Sequence, residues 1–274
     1  MKKQIPNIIT LGNLLCGVLA SYFAIRKDIH FAAILICAGI VLDFFDGMAA
    51  RLLKVPSELG KQLDSLADLV TSGVAPAFIV FSITYEASNT DCSGYHLLCF
   101  LFLLIPIFAA YRLAKFNLDT EQSHTFKGLP VPANALIWVG LALALPDLNS
   151  TICLDIETYY KSSCYPIIHE IWQQWYLYAI LAVSIITNIL MVSRLPMFSL
   201  KFNFKDLAWR KNSVQYIFLI GCAIIAILML FANTSLSIYD GNELWLALPL
   251  SILWYILLSI LTVNKTKCQE THDK

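Results

Sequence analysis

Four aspartates, Asp43, Asp46, Asp64 and Asp68, stand beside apolar runs in the stretch LDFFDGMAARLLKVPSELGKQLDSLADLVTSG, residues 42–73. An unpaired charge in such surroundings costs several kcal/mol, so the placement calls for a compensating chemistry. If the flanking runs are helices, Asp43 and Asp46, three apart, share one face, and so do Asp64 and Asp68, four apart. The connection ARLLKVPSELGKQL returns the chain to the same membrane side, and two antiparallel helices then bring four carboxylates together. Such a cluster repels itself unless cations sit within it. Oxygen ligands with no nearby His or Cys suit Mg²⁺ or Mn²⁺, and Mg²⁺ commonly shares its shell with substrate phosphates. Gly47 follows Asp46 and Gly60 precedes Asp64 by one turn, which removes side chains where a ligand would approach. Helix packing through small residues is their alternative use. For the acids themselves the alternatives are a solvated helix end or an ion path in an ion-coupled transporter.

The elements that must hold these acids are legible in the composition. Of 274 residues 58% are hydrophobic and 14% charged, and the apolar residues fall in blocks near the ~20-residue length that crosses a bilayer. The blocks lie at 6–25, 30–50, 63–85, 95–114, 130–146, 174–193, 213–232 and 244–263. This predicts an all-α, polytopic membrane bundle of about eight transmembrane helices, with no nucleic-acid partner. Two blocks are marginal: 63–85 begins with acids, and 130–146 is short and opens with Pro130 and Pro132. Lys and Arg concentrate on the cytoplasmic side of short loops. With both termini cytoplasmic, all of the 19 Lys and Arg except Arg26, Lys27 and Lys161 fall inside. The zero net charge of the whole chain conceals that asymmetry. The start MKKQIPNIITLGNLLCG has a basic head and an apolar run, but Leu15 before Cys16 is not a small cleavage-site residue, and an uncleaved first span is expected.

No Gly-, Ser- or Pro-rich linker divides the chain, so residues 1–274 read as one integral membrane domain. The eight cysteines show no metal-type spacing. Cys92, Cys153 and Cys164 fall in expected outer loops, where Cys153 and Cys164 form a candidate disulfide in an oxidising compartment. The inner loop SRLPMFSLKFNFKDLAWRKNS alternates basic and bulky apolar residues, as would suit an anionic leaflet or a plain positive-inside loop.

The spacing of Asp43, Asp46, Gly47, Ala50, Arg51, Gly60, Asp64 and Asp68 resembles the signature of the CDP-alcohol phosphotransferases without departure. The resemblance implies an integral membrane enzyme that cleaves a CDP-linked lipid or alcohol at its diphosphate, transfers the phosphoryl-containing part to an acceptor hydroxyl and releases CMP. It further implies two divalent metal ions held by Asp43, Asp46 and Asp64, with Asp68 near the metals and acting as general base. Gly47, Ala50, Arg51 and Gly60 would line the nucleotide site. Asn7, Thr10 and Asn13 recur at helical spacing in the first span and are candidates for hydrogen bonds to nucleotide or phosphate, with interhelical bonding their other use.

Two further stretches, AAYRLAKFN at 109–117 and FKGLPVPANA at 126–135, together with IPNIITLGNLLCG, resemble the CDP-diacylglycerol:serine O-phosphatidyltransferases of that superfamily. The resemblance covers roughly residues 4–135, which makes 1–135 the expected catalytic part and 136–274 additional helices. It implies CDP-diacylglycerol and L-serine as substrates, a cell-membrane location and a homodimer, while the Lys and Arg asymmetry puts the site on the cytoplasmic side. Arg112 and Lys115, three apart at the inner end of the fourth span, are the candidates for the serine carboxylate; snorkelling at a helix end is their other use. Lys115 stands where the family has Arg, which keeps the charge and loses the forked donor. Another acceptor, such as glycerol 3-phosphate or an inositol phosphate, would bring a phosphate and call for more cations. In GLPVP the prolines suit the start of the fifth span.

Overall fold

The computed structural model describes residues 4–55, 57–88, 96–118, 126–144, 165–198, 213–235 and 242–272. Helix α1 spans Gln4–Ile25 and α2 spans Ile29–Leu52. Helix α3, Glu58–Asp68, runs without interruption through a π-helical segment, Leu69–Val74, into α4, Ala75–Ser88. Then come α5, His96–Cys99, a 3₁₀ segment, Phe100–Leu104, α6, Ile105–Leu118, and α7, Val131–Ala144. Three helices follow: α8, Tyr165–Val192, α9, Ser213–Ser235, and α10, Ala247–His272. A two-residue antiparallel pairing joins Phe126–Lys127 to Pro196–Met197.

Among the described residues six helical stretches are long and apolar enough to cross a membrane, and two shorter apolar ones, Val131–Ala144 and Leu177–Val192, accompany them. All eight fall on the expected blocks. Their outer faces carry large apolar side chains in the open, such as Ile8, Leu15, Ile34, Phe44 and Ile227, which a lipid environment accommodates and water does not. The chain is a helical, multi-pass membrane protein. Cys92, Cys153, Cys164 and Lys161, with Tyr95, expected on the outer side, and Lys205, expected on the cytoplasmic side, lie outside the described residues.

In lipid no hydrophobic force pulls helices together, and close packing of small residues takes its place. Ala20 and Ala24 of α1 and Ala32, Ala33 and Ile36 of α2 are fully buried in one cluster. The turn from α2 to α3 is tighter than the sequence suggests, for α2 ends at Leu52 and Ser57 already caps α3, its hydroxyl accepting from the Gly60 amide at 3.0 Å. Such a cap is worth about 1 kcal/mol. Lys54, at φ +53°, makes the bend between them.

GLPVP has a structural use. Gly128, at φ +77°, presents its amide to the Leu195 carbonyl at 2.8 Å, and the Leu129 amide reaches the Leu190 carbonyl at 3.1 Å. A Cβ at Gly128 would stand 2.5 Å from the Met191 carbonyl oxygen. Residues before α7 are thus tied to the C-terminal end of α8.

Candidate active site

Helices α2 and α3 deliver the acids from the two sides of the short turn that joins them. Carboxylate oxygens of Asp43, Asp46 and Asp64 lie within 4.8 Å of one another. Asp46 is buried, while Asp43, Asp64 and Asp68 are half-buried. Three hard oxygen donors at that separation, with room beside them, fit a divalent cation of the Mg²⁺ or Mn²⁺ kind. Asp68, one turn beyond Asp64, stands outside the three-carboxylate group but in electrostatic range of Asp43, Asp46, Asp64 and Arg112. Thr10 reaches across from α1 and hydrogen-bonds the Asp46 carboxylate through its hydroxyl, which also contacts the Pro6 carbonyl at 3.0 Å.

A cavity of about 240 Å³ opens beside the acids, between α1, α2 and α3. Asp46 and Asp64 form part of its wall, with Asn7, Thr10, Gly47, Ala50 and Gly60 among the residues around them. The two glycines differ in kind. A Cβ at Gly47 would meet nothing within 4 Å, so that position borders open space. At Gly60 a Cβ would come within 3.0 Å of the Ser57 hydroxyl and 3.2 Å of Asn7 Oδ1, so Gly60 serves the cap and the approach of α1. Arg51 is exposed and curls back along its own helix, its Nε donating to the Gly47 carbonyl at 3.0 Å, and it is not part of the cavity wall.

Arg112 is 9% exposed, and its Nε is buried with no hydrogen-bond partner. Its guanidinium carbon stands 5.9 Å from the centre of the Phe116 ring. A buried guanidinium with an unmet Nε donor is suited to an anion, since leaving that donor unpaired is costly. Lys115 is half-buried on the same helix.

Residues without a sequence-derived role also border the site. Lys61 is part of the cavity wall and donates from Nζ to the Asn117 carbonyl at 3.2 Å, while Asn117 Nδ2 donates to Ser65 Oγ at 2.8 Å. These bonds fasten α3 to the end of α6. The spacing of Lys61 and Ser65, one helical turn, was available in the sequence, but their partner on α6 was not. Ser57, the cap of α3, lines the cavity as well.

Similarity to known proteins accords with this geometry. The family described as CDP-alcohol phosphatidyltransferase matches residues 3–186. A CDP-diacylglycerol–serine O-phosphatidyltransferase of Bacillus subtilis (strain 168) is 43% identical over 133 residues, covering 47% of this chain and 70% of the relative. One from Helicobacter pylori (strain ATCC 700392 / 26695) is 28% identical over 265 residues, covering 96% of this chain and 95% of the relative. A third, from Saccharomyces cerevisiae, is 37% identical over 123 residues, covering 41% of this chain and 40% of the relative. With more than half of its length matched and its acids gathered beside a cavity at one end of the bundle, the chain belongs to the CDP-alcohol phosphatidyltransferase family.

Proposed function

We propose that the chain transfers the phosphatidyl group of CDP-diacylglycerol to the hydroxyl of L-serine, giving phosphatidylserine and CMP. The observation that carries this reading is the convergence of Asp43, Asp46 and Asp64, two of which, Asp46 and Asp64, line an open cavity, in a chain similar over almost its whole length to a relative with that activity in its name.

The attacking atom is the serine hydroxyl oxygen. A bond forms from it to the phosphorus that bears the diacylglycerol, the bond from that phosphorus to the bridging oxygen breaks, and CMP leaves with the electron pair. A divalent metal, Mg²⁺ or Mn²⁺ and two ions on the family pattern, would be held by Asp43, Asp46 and Asp64 with Asp68 close by, and would neutralise the diphosphate and the departing CMP. Asp68 takes the serine proton during attack, a role that contributes about 10²–10⁴-fold in comparable sites. Gly47 and Ala50 leave room for the nucleotide, Asn7 and Thr10 bound it from α1, and Gly60 lets α1 stay close. Arg51 is assigned to the nucleotide from outside the wall. The Arg112 guanidinium, whose Nε has no partner, receives the serine carboxylate together with Lys115.

In this reading residues 1–135 form the catalytic part, 136–274 add further helices, and the protein works as a homodimer in the cell membrane with its site towards the cytoplasm, where nucleotide and serine are available. The deciding assay incubates purified protein with CDP-diacylglycerol, Mg²⁺ or Mn²⁺ and a panel of alcohols and follows CMP release. Release driven by serine above all others is expected; release driven instead by glycerol 3-phosphate or an inositol phosphate changes the acceptor, and none with any acceptor removes the transferase reading. The side is tested with Lys61→Cys in a cysteine-free background: labelling from the cytoplasmic face is expected, and labelling from the other face overturns the orientation.

A further inference from the structure

Asn7, Thr10 and Asn13 recur on one face of α1, yet the structure separates them. Asn7 and Thr10 border the cavity, whereas Asn13 is fully buried and is not part of its wall. Its amide nitrogen and amide oxygen are both shut away, and neither forms a hydrogen bond of ordinary geometry. Asp68 directly precedes the π-helical segment whose Thr71 contacts Asn13, and the electrostatic surroundings of its carboxylate include this amide.

The surroundings hold Asn13 in place. Thr71 lies in the π segment that begins directly after Asp68, and its hydroxyl donates to the Asn13 carbonyl at 2.9 Å. Gly39 of α2 leaves the space the amide occupies, because a Cβ there would stand 2.8 Å from Asn13 Oδ1. The backbone of Asn13 is therefore fixed, while its side-chain amide forms no hydrogen bond of ordinary geometry. In a dry interior an unpaired amide opposes folding, and an apolar side chain of similar size would not.

We propose that Asn13 is a positioning residue for the transfer: its amide N–H holds one oxygen of the Asp68 carboxylate in the loaded enzyme and turns the other towards the acceptor hydroxyl. No bond is made or broken at Asn13. A contact that is loose in the free site and tightens on loading is ordinary for catalytic hydrogen bonds. π-helical turns within α-helices occur frequently at functional sites, and this one sets the register between Asp68 and the residue that anchors Asn13. The inference rests on the transferase reading and on Asp68 as its base.

The test uses full-length protein and two substitutions, Asn13→Leu and Asn13→Ser, with the wild type beside them. For Asn13→Leu the expected result is a fall in kcat of about 10–100-fold, the loss of one hydrogen bond to a charged group. KM for CDP-diacylglycerol and its metal-dependent binding stay unchanged, and Tm stays level or rises. Asn13→Ser leaves room for a water in place of the amide and should recover part of kcat at an unchanged Tm. Wild-type kcat in either variant overturns the proposal, and so does a kcat that falls only in step with Tm, the mark of a structural role. Should Asn13→Leu fail to fold, Asn13→Ser decides alone: reduced kcat at wild-type Tm supports the proposal. Wild-type protein that releases no CMP with any acceptor would sink the transferase reading itself, a failure visible before any variant is measured.

Discussion

Two seams of this bundle use opposite kinds of side chain. Along α1, α2 and the π segment the contacts are small: a Cβ at Gly17 would stand 2.7 Å from the Thr71 Cα, and one at Gly39 2.4 Å from the Thr71 Cγ2. At the other seam Phe198, Phe218 of α9 and Tyr255 of α10 meet ring to ring, with centroids 4.8 Å apart for Phe198 and Tyr255 and 5.9 Å apart for the other two pairs. The Tyr255 hydroxyl also donates to the Phe198 carbonyl at 2.9 Å. Backbones pressed together at glycine leave little freedom to slide, whereas rings fill volume and tolerate small shifts. The acids sit beside the first seam, where their mutual distances are set by backbone and not by adaptable side chains.

That contrast can be broken most severely at the acids themselves. Asp46→Asn should remove metal-dependent CDP-diacylglycerol binding and lower turnover by about 10³-fold or more, given the several kcal/mol that metal charge contributes to such transition states. Asp68→Asn should lower single-turnover CMP release by about 10²–10⁴-fold while metal-dependent binding survives. If the two variants lose binding equally, Asp68 is chiefly a ligand and the base lies elsewhere. Arg112→Ala comes next: the KM for serine should rise about 10–100-fold with the loss of a charge-assisted bond, and the KM for CDP-diacylglycerol should barely move. Equal effects on both would assign Arg112 to nucleotide contact or helix anchoring.

Stability separates the seams on a smaller scale. Gly39→Ala forces a methyl into Thr71 and Asn13, and overpacking of this kind costs about 1–3 kcal/mol, so Tm should drop clearly and activity with it. Ile227→Ala, on the open face of α9 at 64% exposure, should change stability by no more than about 0.5 kcal/mol and leave CMP release intact. A large loss at Ile227 would mean that this face is covered by something other than lipid.

What the sequence disclosed follows from what membranes constrain. Eight apolar blocks are legible because bilayer thickness sets their length, and six of them are helices long enough to cross. Asp43, Asp46 and Asp64 are legible as a group because acids beside apolar runs demand a reason, and helical spacing places them. The π segment at Leu69–Val74 was not legible, since a stretch apolar on most sides carries little periodic signal to break. The equal spacing of Asn7, Thr10 and Asn13 likewise hid three different surroundings: cavity wall, a bond to Asp46 and a sealed interior. Those differences depend on how α1 lies against α2 and the π segment, which spacing within α1 cannot express. Gly47 and Gly60 looked alike in sequence, and only their neighbours tell the open one from the packed one.

The amides of Gly128 and Leu129 find their acceptors at Leu195 and Leu190. Both acceptors lie past residue 186, where the family's shared region stops. The border of the family's shared region and that of mechanical self-sufficiency therefore differ in this chain. A fragment trimmed at the edge of that region would leave two peptide donors stranded, so the excision most natural to a cloner is one that the polypeptide would resist.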